Sequence, residues 1–169
     1  MAAKETDEFK SRPTTFIESD GTSLKAALDV ARKYGMVKDP QLPFGSGKLF
    51  QGDAMTFYAT AAQMKISSYF NLGRNPARWK SWLANHGPIL TRLNVDDTWD
   101  HAKATQGHLD VYQRGTERGG HAVAFVGYTP EYFIVRNSWG TDTWGDQGFA
   151  YASYTYAQDA FTEAYGVSL

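Results

Sequence analysis

A chain of 169 residues, 42% hydrophobic and 15% aromatic, is long and apolar enough for one folded domain with a sizeable core, and too apolar to be disordered. Its net charge of −1 gives no electrostatic reason to expect nucleic acid or an anionic membrane as partner, and no run of about 18 apolar residues is present to span a bilayer. The absence of cysteine excludes disulfides and thiolate metal sites within the chain.

The first twenty residues are polar and without period, and their opening lacks the apolar stretch of a secretory signal. With no cysteine, this points to a cytoplasmic setting, or to a bacterial protein that uses no disulfides. Ser23 to Tyr34 reads as a helix with Leu24, Ala27, Leu28 and Ala31 on one stripe. Thr22 or Ser23 can cap it, and Gly35 supplies the left-handed stop. A loop punctuated by Pro and Gly follows from Lys38 to Gly52. Asn75-Pro76 opens a second helix, with Asn as cap and Pro in the first turn, running through Trp79, Trp82 and Leu83 to Gly87. Its basic group, Arg74 to Lys80, reads as a solvated helix face.

Strands are expected over Ile89–Val95, Ala122–Tyr128 and Tyr132–Arg136, the last two joined by a Thr129-Pro130-Glu131 turn, and over Phe149–Tyr156. Helices followed by mainly antiparallel strands predict an α+β architecture in a single domain over residues 1–169. The four histidines show no metal-ligand spacing, and His101 and His108 fall in a polar stretch that reads as solvated. No metal and no other cofactor is expected.

The chemistry concentrates late in the chain. In Gly119-Gly120-His121-Ala122-Val123, two glycines allow close backbone approach before a nearly all-apolar strand, which holds the imidazole at a rigid strand end. A lone histidine would be read as a satisfied turn residue. Here a hairpin returns Asn137-Ser138-Trp139-Gly140 beside it. An amide oxygen from Asn137 can then accept from one ring nitrogen, leaving the other for a nucleophile. Trp139 is the expected cover that keeps water from that bond, and Trp144 a neighbouring cleft wall.

The set Gly120-His121-Ala122-Val123, Val126-Gly127-Tyr128, Asn137-Ser138-Trp139-Gly140, Trp144-Gly145 and Gly148 resembles the C-terminal half of the papain-like cysteine peptidases. Similarity extends upstream to Gly87-Pro88-Ile89, and to Asp20-Gly21-Thr22-Ser23, Ala27-Leu28 and Tyr34-Gly35. The resemblance implies an incomplete papain-like fold. A remnant of the helical half and cleft segment would fill residues 1–70, and an antiparallel β-barrel-like half bearing His121 and Asn137 would fill 71–169. It also implies that His121 is the base, Asn137 its orienting partner and Trp139 their shield, with Gly21, Gly120 and Trp144 on the substrate cleft. The family often has a second glycine where Thr22 stands, which weakens the match at Gly21.

The family's nucleophilic Cys and oxyanion Gln have no counterpart. In papain-like enzymes the His lies about 130–150 residues beyond the Cys. Counting back from His121 places the expected Cys roughly ten to thirty residues before Met1, so Ser11 and Ser19 are poor surrogates. The chain is therefore expected to be inactive alone, with an upstream segment or companion chain supplying the Cys for a peptide or protein substrate. The alternatives are a non-catalytic papain-like module that binds a peptide or protein partner, and a convergent transglutaminase-like protein.

Overall fold

The computed structural model describes residues 21–43 and 52–169. The polar opening with Ser11, Ser19 and Asp20, and the part of the expected loop over 44–51, lie outside the described residues. The chain divides into two compact units, one ending at Ser68 and including Ser168–Leu169, the other spanning Tyr69–Val167.

Among the described residues the first unit carries two α-helices. Helix α1 (Leu24–Lys33) starts where Ser23 Oγ accepts from Ala26 N–H at 3.2 Å. It buries Leu24, Ala26, Leu28 and Ala31, so the stripe turns inward at Ala26 rather than at Ala27. Helix α2 (Ala54–Ala61) begins at Asp53, whose carboxylate accepts from Thr56 N–H at 2.7 Å. Such caps satisfy backbone donors that the first turn leaves without partners.

The second unit carries helix α3 (Pro76–Asn85), helix α4 (Tyr154–Ala160) and most of one sheet. In chain order its strands are β1 (Ser68–Asn71), β2 (Ile89–Val95), β3 (His108–Leu109), β4 (Gly119–Tyr128), β5 (Tyr132–Arg136), β6 (Phe149–Ser153) and β7 (Phe161–Ser168). Their spatial order is β1-β7-β2-β4-β5-β6-β3. The β7–β2, β2–β4, β4–β5 and β5–β6 pairs are antiparallel, and β3–β6 is parallel. Among the described residues the sheet is open, where a barrel-like closure was expected. Its edges are the short strands β1 and β3, of four and two residues.

One sheet face alternates into the core with Ile89, Thr91 and Leu93, Val123 and Phe125, Phe133 and Val135, and Ala150 and Ala152. Helix α3 covers that face through Trp79, which is fully buried against Phe125, Phe133 and Phe161 at centroid distances of 5.4, 5.6 and 6.5 Å. Its indole N–H donates to the Gly73 carbonyl at 2.8 Å, so the largest core side chain leaves no donor unpaired. Asn75 caps α3 through Oδ1, which accepts from the N–H groups of Ala77 and Arg78.

The expected strand over Phe149–Tyr156 stops at Ser153. Ser153 Oγ accepts from Tyr156 N–H at 3.0 Å, and that cap turns the chain into α4. Three strands not foreseen from sequence complete the unit, β1, β3 and β7. No described helix is long and apolar enough to cross a membrane.

Candidate active site

Strand parity brings His121 and Asn137 together. His121 lies opposite Leu93 in the β2–β4 ladder and shares a face with the buried Val123 and Phe125, so the imidazole stands at the rim of the core. On β5, Phe133 and Val135 alternate onto the same side, and Asn137 continues that alternation just past the strand. Because Ala124 pairs with Arg136, the register sets Asn137 level with Val123. His121 is then its diagonal neighbour on one face, within reach of a long side chain.

His121 Nε2 lies 2.8 Å from Asn137 Oδ1. The same oxygen accepts from Ser138 N–H at 2.8 Å, and Asn137 N–H donates to the Gly148 carbonyl at 3.0 Å. The Ser138 contact fixes which end of the carboxamide is the oxygen, since a flipped amide would set donor against donor. Nε2 therefore carries the ring proton, and Nδ1 is the nitrogen left to accept or hold another. Asn137 is 3% exposed, which strengthens the bond in a low local dielectric. Its Nδ2 is buried without a partner among the described residues.

Trp139 covers the imidazole face, with centroids 4.7 Å apart and rings inclined by 33°, while 45% of the residue stays exposed. Trp144 is 6% exposed; it packs edge-on against Trp139 at 5.8 Å and donates its indole N–H to the Trp99 carbonyl at 3.0 Å. It thus backs the cover from the core side. The connecting loop is tight at Gly145, where φ is +59° and a Cβ would come within 2.2 Å of the Phe149 carbonyl oxygen.

Gly120 meets a different neighbour. A Cβ there would fall 2.3 Å from Nη2 of Arg92, whose guanidinium donates to Thr162 Oγ1 at 2.8 Å and Asn94 Oδ1 at 3.3 Å. The missing side chain leaves room for that arginine. Gly21 belongs to the first unit, with φ +78° and open space where a Cβ would stand. His101 and His108 are both exposed, and His108 packs between Tyr132 and Tyr151. Among the described residues no group of three or more His, Asp or Glu could hold a metal ion.

Sequence reasoning missed Trp99. It lies in a short 3₁₀ turn (Asp97–His101), is 1% exposed and presents its ring edge-on to His121 at 5.7 Å and to Trp139 at 5.5 Å. A single tryptophan in an otherwise acidic and polar stretch was the available signal. Immediately before the histidine strand, Arg118 pairs with Asp97 and Asp100, which raises the arginine's already high pKa, chiefly through its hydrogen bond to Asp97.

The architecture is papain-like. The structure of xylellain, a cysteine protease from Xylella fastidiosa, superposes with a TM-score of 0.75 at 22% identity, covering 88% of this chain and 62% of that one. The papain family cysteine protease model matches residues 10–165, and the chain belongs to that family. Among curated relatives, the cathepsin B-like CP3 of Giardia intestinalis is 30% identical over 77% of this chain and 46% of its own length. The cathepsin B-like CP2 of the same organism is 33% identical over 69% and 41%. The chain thus spans less than half the length of these relatives.

Proposed function

We propose that this chain supplies the histidine–asparagine half of a papain-type peptidase site, and that the nucleophilic thiol comes from outside the 169 residues. The observation that carries the reading is the Nε2–Oδ1 bond of 2.8 Å, covered by an indole, in a chain of this family without a cysteine. Alone, the chain has a base and no nucleophile, and loss of the nucleophile leaves only the residual rate from binding and polarisation.

With a cysteine supplied by an upstream segment or a companion chain, His121 Nδ1 takes the thiol proton and the thiolate–imidazolium pair forms. The thiolate attacks a peptide carbonyl, and His121 hands its proton to the leaving amine as the acyl-enzyme forms. Water, deprotonated by the same imidazole, then releases the acid and restores the thiol. Asn137 holds the ring plane through these proton transfers. Gly120, Trp139 and Trp144 would border the substrate.

The rival reading is a non-catalytic module that binds a peptide or protein partner, favoured by the zero cysteine count. A thiol-directed active-site probe applied to the complete native gene product and its partners separates the two. Labelling of a cysteine that His121→Ala abolishes supports the peptidase half-site. Finding no reactive thiol in any upstream or associated polypeptide overturns it, as does hydrolysis of a fluorogenic peptide by the 169-residue chain alone.

A further inference from the structure

Two hydrogen bonds away from Trp99, whose ring meets both His121 and Trp139, lies a buried carboxylate to which the peptidase chemistry assigns no task. Asp96, directly after β2, is fully buried. Its Oδ1 accepts from the hydroxyls of Tyr156 and Thr98, each at 2.6 Å, and its Oδ2 from Gln113 N–H at 2.7 Å. No ion pair reaches it among the described residues, since Arg118 is engaged by Asp97 and Asp100. The Tyr156 hydroxyl, also fully buried, donates to Asp96 and accepts the Trp99 indole N–H at 2.9 Å. Trp99 in turn meets His121, Trp139 and Trp144 with its ring, and its carbonyl holds the Trp144 indole N–H.

We infer that Asp96 and Tyr156 are positioning residues that act through Trp99 to set the ring plane of His121. Packing alone would let the Trp99 indole choose among orientations that fill the same space, because dispersion contacts are non-directional. A hydrogen bond to its N–H selects one. That bond needs an acceptor, and the Tyr156 hydroxyl is directed as one because its own proton is committed to Asp96. A charged acceptor makes the commitment stronger than a neutral one would. The selected orientation puts the Trp99 ring at 85° to the imidazole, an edge-to-face arrangement of the kind aromatic pairs favour. His121 is then held on three sides: Nε2 by Asn137, one face by Trp139, and the ring plane by Trp99.

The inference rests on His121 being the base of the proposed half-site, but its test needs no thiol. In isotope-labelled wild-type chain, a cross-relaxation contact between the Trp99 and His121 ring protons is expected, and its absence overturns the inference. Tyr156→Phe removes one hydroxyl and should accelerate solvent exchange of the Trp99 indole N–H. It should also displace the His121 ring proton and nitrogen shifts by more than their linewidths. Asp96→Asn, which keeps the shape and removes the charge, should do the same to a smaller extent. Ile89→Val, at the opposite end of β2 and equally buried, should leave the His121 shifts in place.

Unchanged His121 shifts in a folded Tyr156→Phe chain overturn the inference, and so does an equal change in Ile89→Val. Should Tyr156→Phe not fold, the wild-type contact and Asp96→Asn decide. Failure to find a labelled cysteine would sink the half-site reading and leave these ring measurements standing, so the two can fail separately.

Discussion

The Asn137 carboxamide decides which nitrogen of His121 is available, and it does so because Ser138 N–H reads its orientation. If His121 is the base proposed above, then in a protein with the thiol supplied His121→Ala should cost about 10²–10⁴-fold in kcat/KM. Asn137→Ala leaves the base in place without its orienting acceptor, so the loss should be smaller, with Nε2-H and Nδ1-H tautomers mixed in the ring nitrogen spectrum. Equal losses for the two variants would assign Asn137 a more direct part than orientation. A different residue-scale test concerns Gly145, where φ is +59° and a Cβ would press on the Phe149 carbonyl oxygen. Gly145→Ala should lower stability by about 1–3 kcal/mol, read from denaturant unfolding. His121, Asn137 and Trp139 could be read from sequence because each sits in a short contiguous motif. Asp96, Trp99 and Tyr156 could not, because the first and last are 60 positions apart in the chain and no local pattern records that meeting.

At the scale of elements, a cap decided where the last expected strand ends. The helix at α3 was legible because Asn75-Pro76 precedes a periodic apolar stripe, β2 because Gly87-Pro88 leads into a partly alternating segment, and β4 and β5 because two apolar runs flank a short turn. The end of β6 was not. Phe149 to Tyr156 alternates aromatic and small residues, which matches a strand period. Yet Ser153 hydrogen-bonds Tyr156 N–H and starts α4, whose Ala157 and Ala160 are buried. Period alone could not find that switch, because the first helical residues after the cap keep the aromatic alternation. The same Ser153 hydroxyl donates to the Asp110 carbonyl at 2.7 Å, tying the switch to the segment after β3. Ser153→Ala should therefore cost about 1 kcal/mol as a lost cap, seen as a fall of roughly 2–4 °C in Tm for a chain of this size. An unchanged Tm would show that α4 is set by burial of its alanines and not by its cap.

Over the whole molecule, carboxylates and tyrosines should set the response at opposite ends of the pH scale. In the first unit, Asp53 has its pKa held below the ordinary 3.8, chiefly by its hydrogen bonds with Thr56 at the start of α2. A carboxylate with a lowered folded-state pKa binds fewer protons folded than unfolded. Its contribution is present above the unfolded value and is lost as pH falls through the folded one. In the second unit, Tyr112 is pushed up from 10.0 to about 12, first by burial and then by its hydrogen bond to Glu117. Tyr156 is raised further, by burial and then by donating to Asp96. A tyrosine with a raised folded-state pKa keeps its proton longer folded than unfolded. Its contribution is therefore complete below about pH 10 and declines as pH rises toward the folded values. Acid should thus loosen the α2 cap and, in the β-rich unit, the turn at Glu117, whose carboxyl is also held below its ordinary 4.5, first by a backbone hydrogen bond, and alkali should weaken the β-rich unit from near pH 10 upward. Amide exchange followed residue by residue at low pH, with tyrosinate absorbance followed at high pH, would check both limbs. Tyr156→Phe should remove its own part of the alkaline limb. If the alkaline loss is the same in that variant, the decline belongs to Tyr112, to Tyr132 and Tyr151, which are also raised, and to surface charge rather than to the hydroxyl on Asp96.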